Sequence, residues 1–441
     1  MFSNRALIRL LMPLIVEQIL NSLMGMADSM MVSNVGPEAI SAVSLVDSIN
    51  ILVIQAFNAL AAGGTIVCSQ YIGQKNVKNA NESARQLVFV VAAISSAVSA
   101  VCLLWRFPLL HAVFGRVEQS VMDAAGIYFF YTALSFPFIA LSNAGSAIYR
   151  AQGNTRLPMN IALISNGLNI LGNAFLIWGV RLGITGAALA TLGSRMFSAV
   201  LIFAFLRQKN QMMVIRNYFS IRPNGRRIRA ILSVGIPSGV ENAMFQFGKL
   251  AIQSTVSAMG TAAIAAQAMS NIMENLNCIA AVGIGIGMMT VVGQCIGAGK
   301  PEEAVYYMKK LTLWSEIVIC ISCAVVYLCL RPITVLAGME PESAALCIHI
   351  VGWISVMKPI FWTPAFIPAY GMRAAGDVRF SMLTSAVLMW AFRVTLSLYL
   401  CRVLGFGPMG VWIGMFADWG LRAVIFTWRF MSRKWLEHTV V

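Results

Sequence analysis

The sequence predicts an all-α integral membrane protein: twelve transmembrane helices in two pseudo-symmetric six-helix lobes that form a parallel internal repeat. Three observations carry that prediction. The 441 residues are 59% hydrophobic and only 11% charged, and mean hydropathy is +0.76. The apolar residues fall into long runs, and a helix needs roughly 20 of them to cross a bilayer; the polar-lumen alternation of a membrane β-barrel is absent. Finally, the second half of the chain repeats the first at a nearly constant offset.

The first run, 7–32, is too long for a signal-peptide core and lacks a small-residue cleavage site after it, so it reads as a retained span. It carries Glu17 and Asp28. The second, 38–71, carries Asp47 and Asn50, and the third and fourth are 84–105 and 120–148. The fifth, 158–178, contains "ISNGLNILGNAFLI", and the sixth, 183–206, contains Thr191. These six make an N-lobe of 1–206. The polar stretch 207–231, "RQKNQMMVIRNYFSIRPNGRRIRAI", reads as a cytoplasmic linker. A C-lobe of 232–428 follows, with spans 232–256, 261–294, 307–330, 342–370, 380–401 and 407–428, then a cytoplasmic tail of 429–441.

A shift of 224 residues superposes the halves over a long stretch. Pro13 meets Pro237, Glu17 meets Glu241, Gly36 meets Gly260, and "QYIG" at 70–73 meets "QCIG" at 294–297. Farther on, "RAQGNTR" at 150–156 faces "RAAGDVR" at 373–379, at a shift of 223. Agreement at one offset signals an internal duplication. Six spans per repeat send both halves into the membrane in the same direction. Such an arrangement suits a transporter whose lobes rock around a shared site. A channel pore more often lies on the axis of identical subunits.

The formal charge of +15 does not call for nucleic acid. Most Lys and Arg fall in the N-terminus, the even-numbered loops and the C-terminus; the odd-numbered loops hold only Arg106, Arg116, Arg181, Arg331 and Arg402. Cytoplasmic loops are enriched in basic residues, so both termini are expected in the cytoplasm of a plasma membrane, the inner one in a bacterium. Cys320 and Cys323 form a CxxC inside a span without a second pair, and His111, His349 and His438 are dispersed, so no resident metal is expected. No GxxxxGK[ST] loop is present to cradle a nucleotide phosphate.

Ionisable groups within the bilayer are costly, about 2.5–3.5 kcal/mol each on insertion scales, and are functional candidates by default. Glu17 and Asp28 are eleven residues apart, within about 20° of three full turns and about 16 Å along the axis. They share one stripe, which must face protein or a cavity. Glu17 has a repeat partner in Glu241, whereas the counterpart of Asp28 is Ile252. A carboxylate kept in one lobe suggests a specialised ion site; capping of broken backbone, or pairing with a buried donor, is the plainer role. Asn166, Asn169 and Asn173 share a helical face, for which interhelical hydrogen bonding is the plainer reading. Carboxylate, amide and hydroxyl oxygens are hard ligands suited to Na⁺ by analogy with other hard cations, while a carboxylate held away from water can carry a proton. The C-lobe spans hold Glu241, Lys249, Glu274, Lys358, Arg393, Asp418 and Arg422. Asp418 and Arg422, at i and i+4, suggest a structural ion pair. Glu17, Glu241, Lys249, Glu274 and Arg393 are candidates to line a cleft. Met24, beside Asp28, is a candidate substrate contact because methionine adapts to varied shapes.

"PLIVEQILNSLMGMADSMMVSNVGPEAISAVSL" with "AAGGTIVCSQYIGQKN", echoed by "GIPSGVENAMFQFGKL" and "GIGMMTVVGQCIGAGK", resembles the multidrug and toxic compound extrusion (MATE) transporters. "YRAQGNTRLPM", "MRAAGDVRFSM" and "GITGAALAT" also fit, and the resemblance covers nearly the whole chain. It implies a V-shaped pair of six-helix lobes and export of drugs, often cationic, by antiport against inward Na⁺ or H⁺. It also implies an N-lobe ion site at Asp28, Asn169 and Thr191. Some relatives carry an aspartate where this chain has Asn173. Another branch uses a glutamate eight residues after the seventh-span proline, a position held here by Phe245, whereas Glu241 lies four residues after Pro237.

The expected protein is therefore a monomeric secondary exporter of small-molecule drugs or organic cations, in contact with membrane lipid. It needs no cofactor beyond transported Na⁺ or H⁺. A flippase for a lipid-linked precursor is the alternative, kept open by Lys249, Lys358 and Arg393. A membrane-embedded enzyme lacks a convergent nucleophile, base or metal set.

Overall fold

A computed structural model describes all residues, 1–441, and it is all-helical. Twelve long helices follow in order: α1 Asn4–Ser33, α2 Pro37–Gly73, α3 Val77–Leu104, α4 Gln119–Ala151, α5 Arg156–Gly179 and α6 Ile184–Leu206. Then come α7 Gly225–Val256, α8 Thr261–Gly297, α9 Pro301–Leu336, α10 Pro341–Ala375, α11 Val378–Arg402 and α12 Pro408–Met431. Eleven are long and apolar enough to cross a membrane. The remaining one, α7, has the length, 32 residues, but Glu241, Lys249 and several Gln, Asn and Ser lower its hydropathy. In hydrocarbon every backbone N–H and C=O must be satisfied within the segment, which is why long apolar runs become helices.

The duplication is visible in the backbone. α2 and α8 are each 37 residues long and begin 224 residues apart. Each follows a glycine at positive φ, Gly36 at 144° and Gly260 at 100°. A side chain is disfavoured at such angles, so glycine fixes where both helices begin. Pro13 in α1 and Pro237 in α7 each interrupt one intrahelical hydrogen bond at matching points.

Backbone proximity divides the chain into two compact units, 2–239 and 240–440 apart from the terminal residues. The first contains α1 to α6 and the start of α7. The chain after α6 is tied to that unit: Gln86 Nε2 donates to the Arg222 carbonyl (2.8 Å), and Tyr218 donates to the Phe203 carbonyl (2.7 Å). The start of α7 packs closely on α2. A Cβ on Gly63 would lie 2.7 Å from the Ile231 carbonyl oxygen and 3.1 Å from the Gly235 nitrogen. The second unit holds the rest of α7 and α8 to α12. Three helices contain π-helical segments: Ala174–Gly179 in α5, Lys358–Trp362 in α10 and Met389–Val394 in α11. π-turns recur at functional sites because they re-aim side chains and free backbone groups.

Candidate ion-coupling site

Asp28 lies near the C-terminal end of α1 and is half-buried. Asn173, buried on α5, donates from Nδ2 to Asp28 Oδ1 at 2.6 Å. The same nitrogen donates to Asn169 Oδ1 at 3.0 Å, one turn back on the helix. Asn169 in turn donates to Thr191 Oγ1 (3.4 Å) and Ser194 Oγ (3.3 Å) on α6. One hydrogen-bonded chain thus joins α1, α5 and α6 through Asp28, Asn173, Asn169 and Thr191. Asn173 closes the regular part of α5, immediately before its π segment. Asp28 makes no ion pair within 4.0 Å. The Asn173 Oδ1 atom is buried and accepts no hydrogen bond. An ionised carboxylate beside an unused carbonyl oxygen is a donor set that a small cation can satisfy.

Three further residues belong to this site. Asp47, on α2, and Arg195, on α6, lie within electrostatic range of Asp28. Asp47 accepts from Asn50 Nδ2 at 3.2 Å and from the Tyr128 hydroxyl at 3.5 Å. Arg195 donates to Ser135 Oγ at 2.7 Å rather than closing on either carboxylate. Two carboxylates face one guanidinium, so this interior is one negative charge in excess. Arg195 could have been found in the sequence as an ionisable residue in a span, four residues after Thr191. Tyr128 carried no such signal.

Glu17 lies apart from this group. It is buried and paired with Arg150, whose Nη2 is 2.7 Å from Oε1. Glu241 repeats the pair with Arg373 at 2.9 Å. It also accepts from Ser385 Oγ (2.7 Å) and Ser381 Oγ (3.3 Å). The duplicated glutamates and arginines therefore recur as the same contact in both units. Met24 is half-buried on α1, one turn before Asp28.

The second unit brings Glu274 onto Lys358, whose Nζ is 2.6 Å from both Oε1 and the Glu274 carbonyl oxygen. Lys358 is fully buried at the first residue of a π segment. Asp418 pairs with Arg422 at 3.2 Å, four residues on, and its other oxygen lies 3.8 Å from Arg393 Nη1. Lys249 is exposed and makes no ion pair, with its ammonium 5.2 Å from the Phe245 ring centre. Glu241 is thus committed to Arg373 and Glu274 to Lys358, while Lys249 and Arg393 share the Phe245 ring.

Comparison with known proteins follows the same outline. The MatE family profile matches residues 13–175 and 237–398, one match in each repeat. The chain is 27% identical over 439 residues to the uncharacterized transporter YisQ of Bacillus subtilis, spanning 98% of this chain and 95% of that protein. It is 26% identical to the probable multidrug resistance protein NorM of Thermotoga maritima, over 99% of this chain and 94% of the relative. A multidrug resistance MATE transporter solved in an outward-facing conformation shares the fold with a TM-score of 0.89 at 20% identity, covering 98% and 96% of the two chains.

Proposed function

We propose that this chain, which belongs to the MatE family of membrane transporters, is an antiporter that expels amphipathic small molecules by alternating access. Inward movement of Na⁺ or H⁺ through Asp28 drives it. As a transporter it needs neither a catalytic residue nor a cofactor. The observation that carries the reading is the contact from Asn173 Nδ2 to an Asp28 carboxylate that makes no ion pair.

A cation arriving at Asp28 competes with the Asn173 amide for the same oxygen. Na⁺ would draw on Asp28 and on the unused Asn173 Oδ1. A proton would convert one Asp28 oxygen from acceptor to donor, and a turn of the Asn173 amide would replace the facing Nδ2 with Oδ1 as the acceptor. Either event changes the bond that ties α1 to α5, and Asn169, Thr191 and Ser194 extend the change to α6. An ion shifts a conformational equilibrium only by binding the two states unequally. The α1–α5 contact supplies that inequality if it is made in one state and broken in the other. Drug efflux in inverted membrane vesicles tests the reading. Asp28→Asn should keep protein abundance and lose gradient-driven efflux; efflux at the native rate would reject the role. The names of the relatives favour drug export over a lipid-precursor flippase.

A further inference from the structure

The helices of the second unit carry an imbalance of charge that the coupling site does not use. Glu241 is matched by Arg373. The remaining linked carboxylates are Glu274 and Asp418, and they face four cations, Lys249, Lys358, Arg393 and Arg422. Two positive charges are left over. Glu316, on α9, does not offset them: it accepts from Cys320 on its own helix and pairs with no cation. Of the cations, Arg393 is buried, where an unmatched charge is costly, and Lys249 is exposed beside it, open to an incoming group.

The unmatched pair can be identified. Lys358 is bonded to Glu274, and Arg422 to Asp418 and Ser385. Lys249 has no hydrogen bond or ion pair, and electrostatically it meets both Glu274 and Arg393. Arg393 is 5% exposed, with its carboxylate contact at 3.8 Å and its hydrogen bond made to the Met389 sulfur rather than to an oxygen. Both cations gather on one ring: Lys249 Nζ is 5.2 Å and the Arg393 guanidinium 4.8 Å from the centre of Phe245. Close helix packing brings them together. Gly248 leaves room for Met389, whose Cε would lie 2.2 Å from a Cβ at that position. The π segment Met389–Val394 carries Arg393. Asn277, three residues after Glu274 and on the same helical face, is fully buried with neither amide atom bonded.

We propose that Lys249 and Arg393, gathered at Phe245, form a binding site for an oxyanion, a carboxylate or phosphate carried by the transported molecule. An arriving oxyanion would supply the missing countercharge and accept N–H donors that now lack an oxygen partner. A cationic group would be repelled there. This deepens the export reading and rests on it for the identity of the ligand as cargo; binding itself requires neither transport nor an ion gradient.

Equilibrium binding to the purified full-length chain in neutral detergent tests the site. The probes are 2-naphthoate, 2-naphthyl phosphate and the neutral 2-naphthamide. Saturable binding of the two anions, weaker for the amide by tenfold or more, is expected, because charge-assisted hydrogen bonds are the strong ones. Lys249→Gln should weaken anion binding about tenfold and Lys249→Arg should restore it. Because Arg393→Gln could disturb Asp418, Lys249 is the deciding position. Adding phosphatidylglycerol micelles identifies the natural source: displacement of the naphthyl anions assigns the site to a lipid phosphate, and indifference to a soluble anion. Equal affinity for anions and amide, or unchanged affinity in Lys249→Gln, would overturn the site. Loss of efflux in Asp28→Asn bears on coupling alone, so the two ideas fail separately.

Discussion

Replacing Arg150 by Gln leaves Glu17 buried without a countercharge; replacing Arg373 does the same to Glu241, but in better company. At 2.7 Å the Glu17–Arg150 attraction is about 6 kcal/mol with an effective dielectric constant near 20. Desolvation offsets most of that, so the intact pair contributes little net stability, while removing one partner costs roughly 3–5 kcal/mol. Glu17 Oε2 is already buried without a hydrogen bond, so nothing softens the loss. Glu241 retains the hydroxyls of Ser381 and Ser385, and a hydrogen bond to a charged group contributes roughly 1.5–3 kcal/mol. Arg373→Gln should therefore be about 1–3 kcal/mol milder than Arg150→Gln. Each unit has a fully buried free thiol to report on it, Cys68 in the first and Cys295 in the second. Denaturant-dependent labelling of single-cysteine versions would read each unit's opening free energy. Glu17→Gln combined with Arg150→Gln should recover most of the loss. A cost below about 1 kcal/mol for Arg150→Gln, or no recovery in the double variant, would refute this reasoning.

Other outcomes follow from the same geometry. Gly63→Ala drives a Cβ into the backbone of α7, 2.7 Å from the Ile231 carbonyl, and should cost about 1–3 kcal/mol, measured by Cys68 labelling. Asn169→Ala removes the link from Asn173 to Thr191 and Ser194; gradient-driven efflux should fall while Cys68 stays protected, and efflux at the native rate would argue against the link. Asn173→Asp adds a carboxylate beside Asp28 and should tighten Na⁺ binding about tenfold or more, read by isothermal calorimetry; unchanged affinity would argue against Na⁺ at this position.

Much of this organisation was legible in the sequence because the bilayer imposes it. Twelve apolar runs became twelve long helices, and the offset that aligns Pro13 with Pro237 also aligns α2 with α8 to the residue. Asp28, Asn169, Asn173 and Thr191 were readable as polar residues in three apolar runs, and the structure joins them by hydrogen bonds. Other features depend on packing that periodicity does not encode. The Glu17–Arg150 and Glu241–Arg373 pairs join residues more than 130 positions apart. Both partners stood in the repeat, but nothing local said they touch. The π segments that carry Lys358 and Arg393 have no composition of their own, and α7 begins at Gly225, inside the stretch expected as linker, where polar residues masked the helix.

Transport by purified protein in proteoliposomes, with Na⁺ and pH gradients imposed one at a time, tests the coupling role of Asp28 most directly. The native chain should accumulate an amphipathic drug under one of the two gradients, and Asp28→Asn should lose that response while still reconstituting. Equal gradient-driven accumulation by the native chain and Asp28→Asn would contradict it.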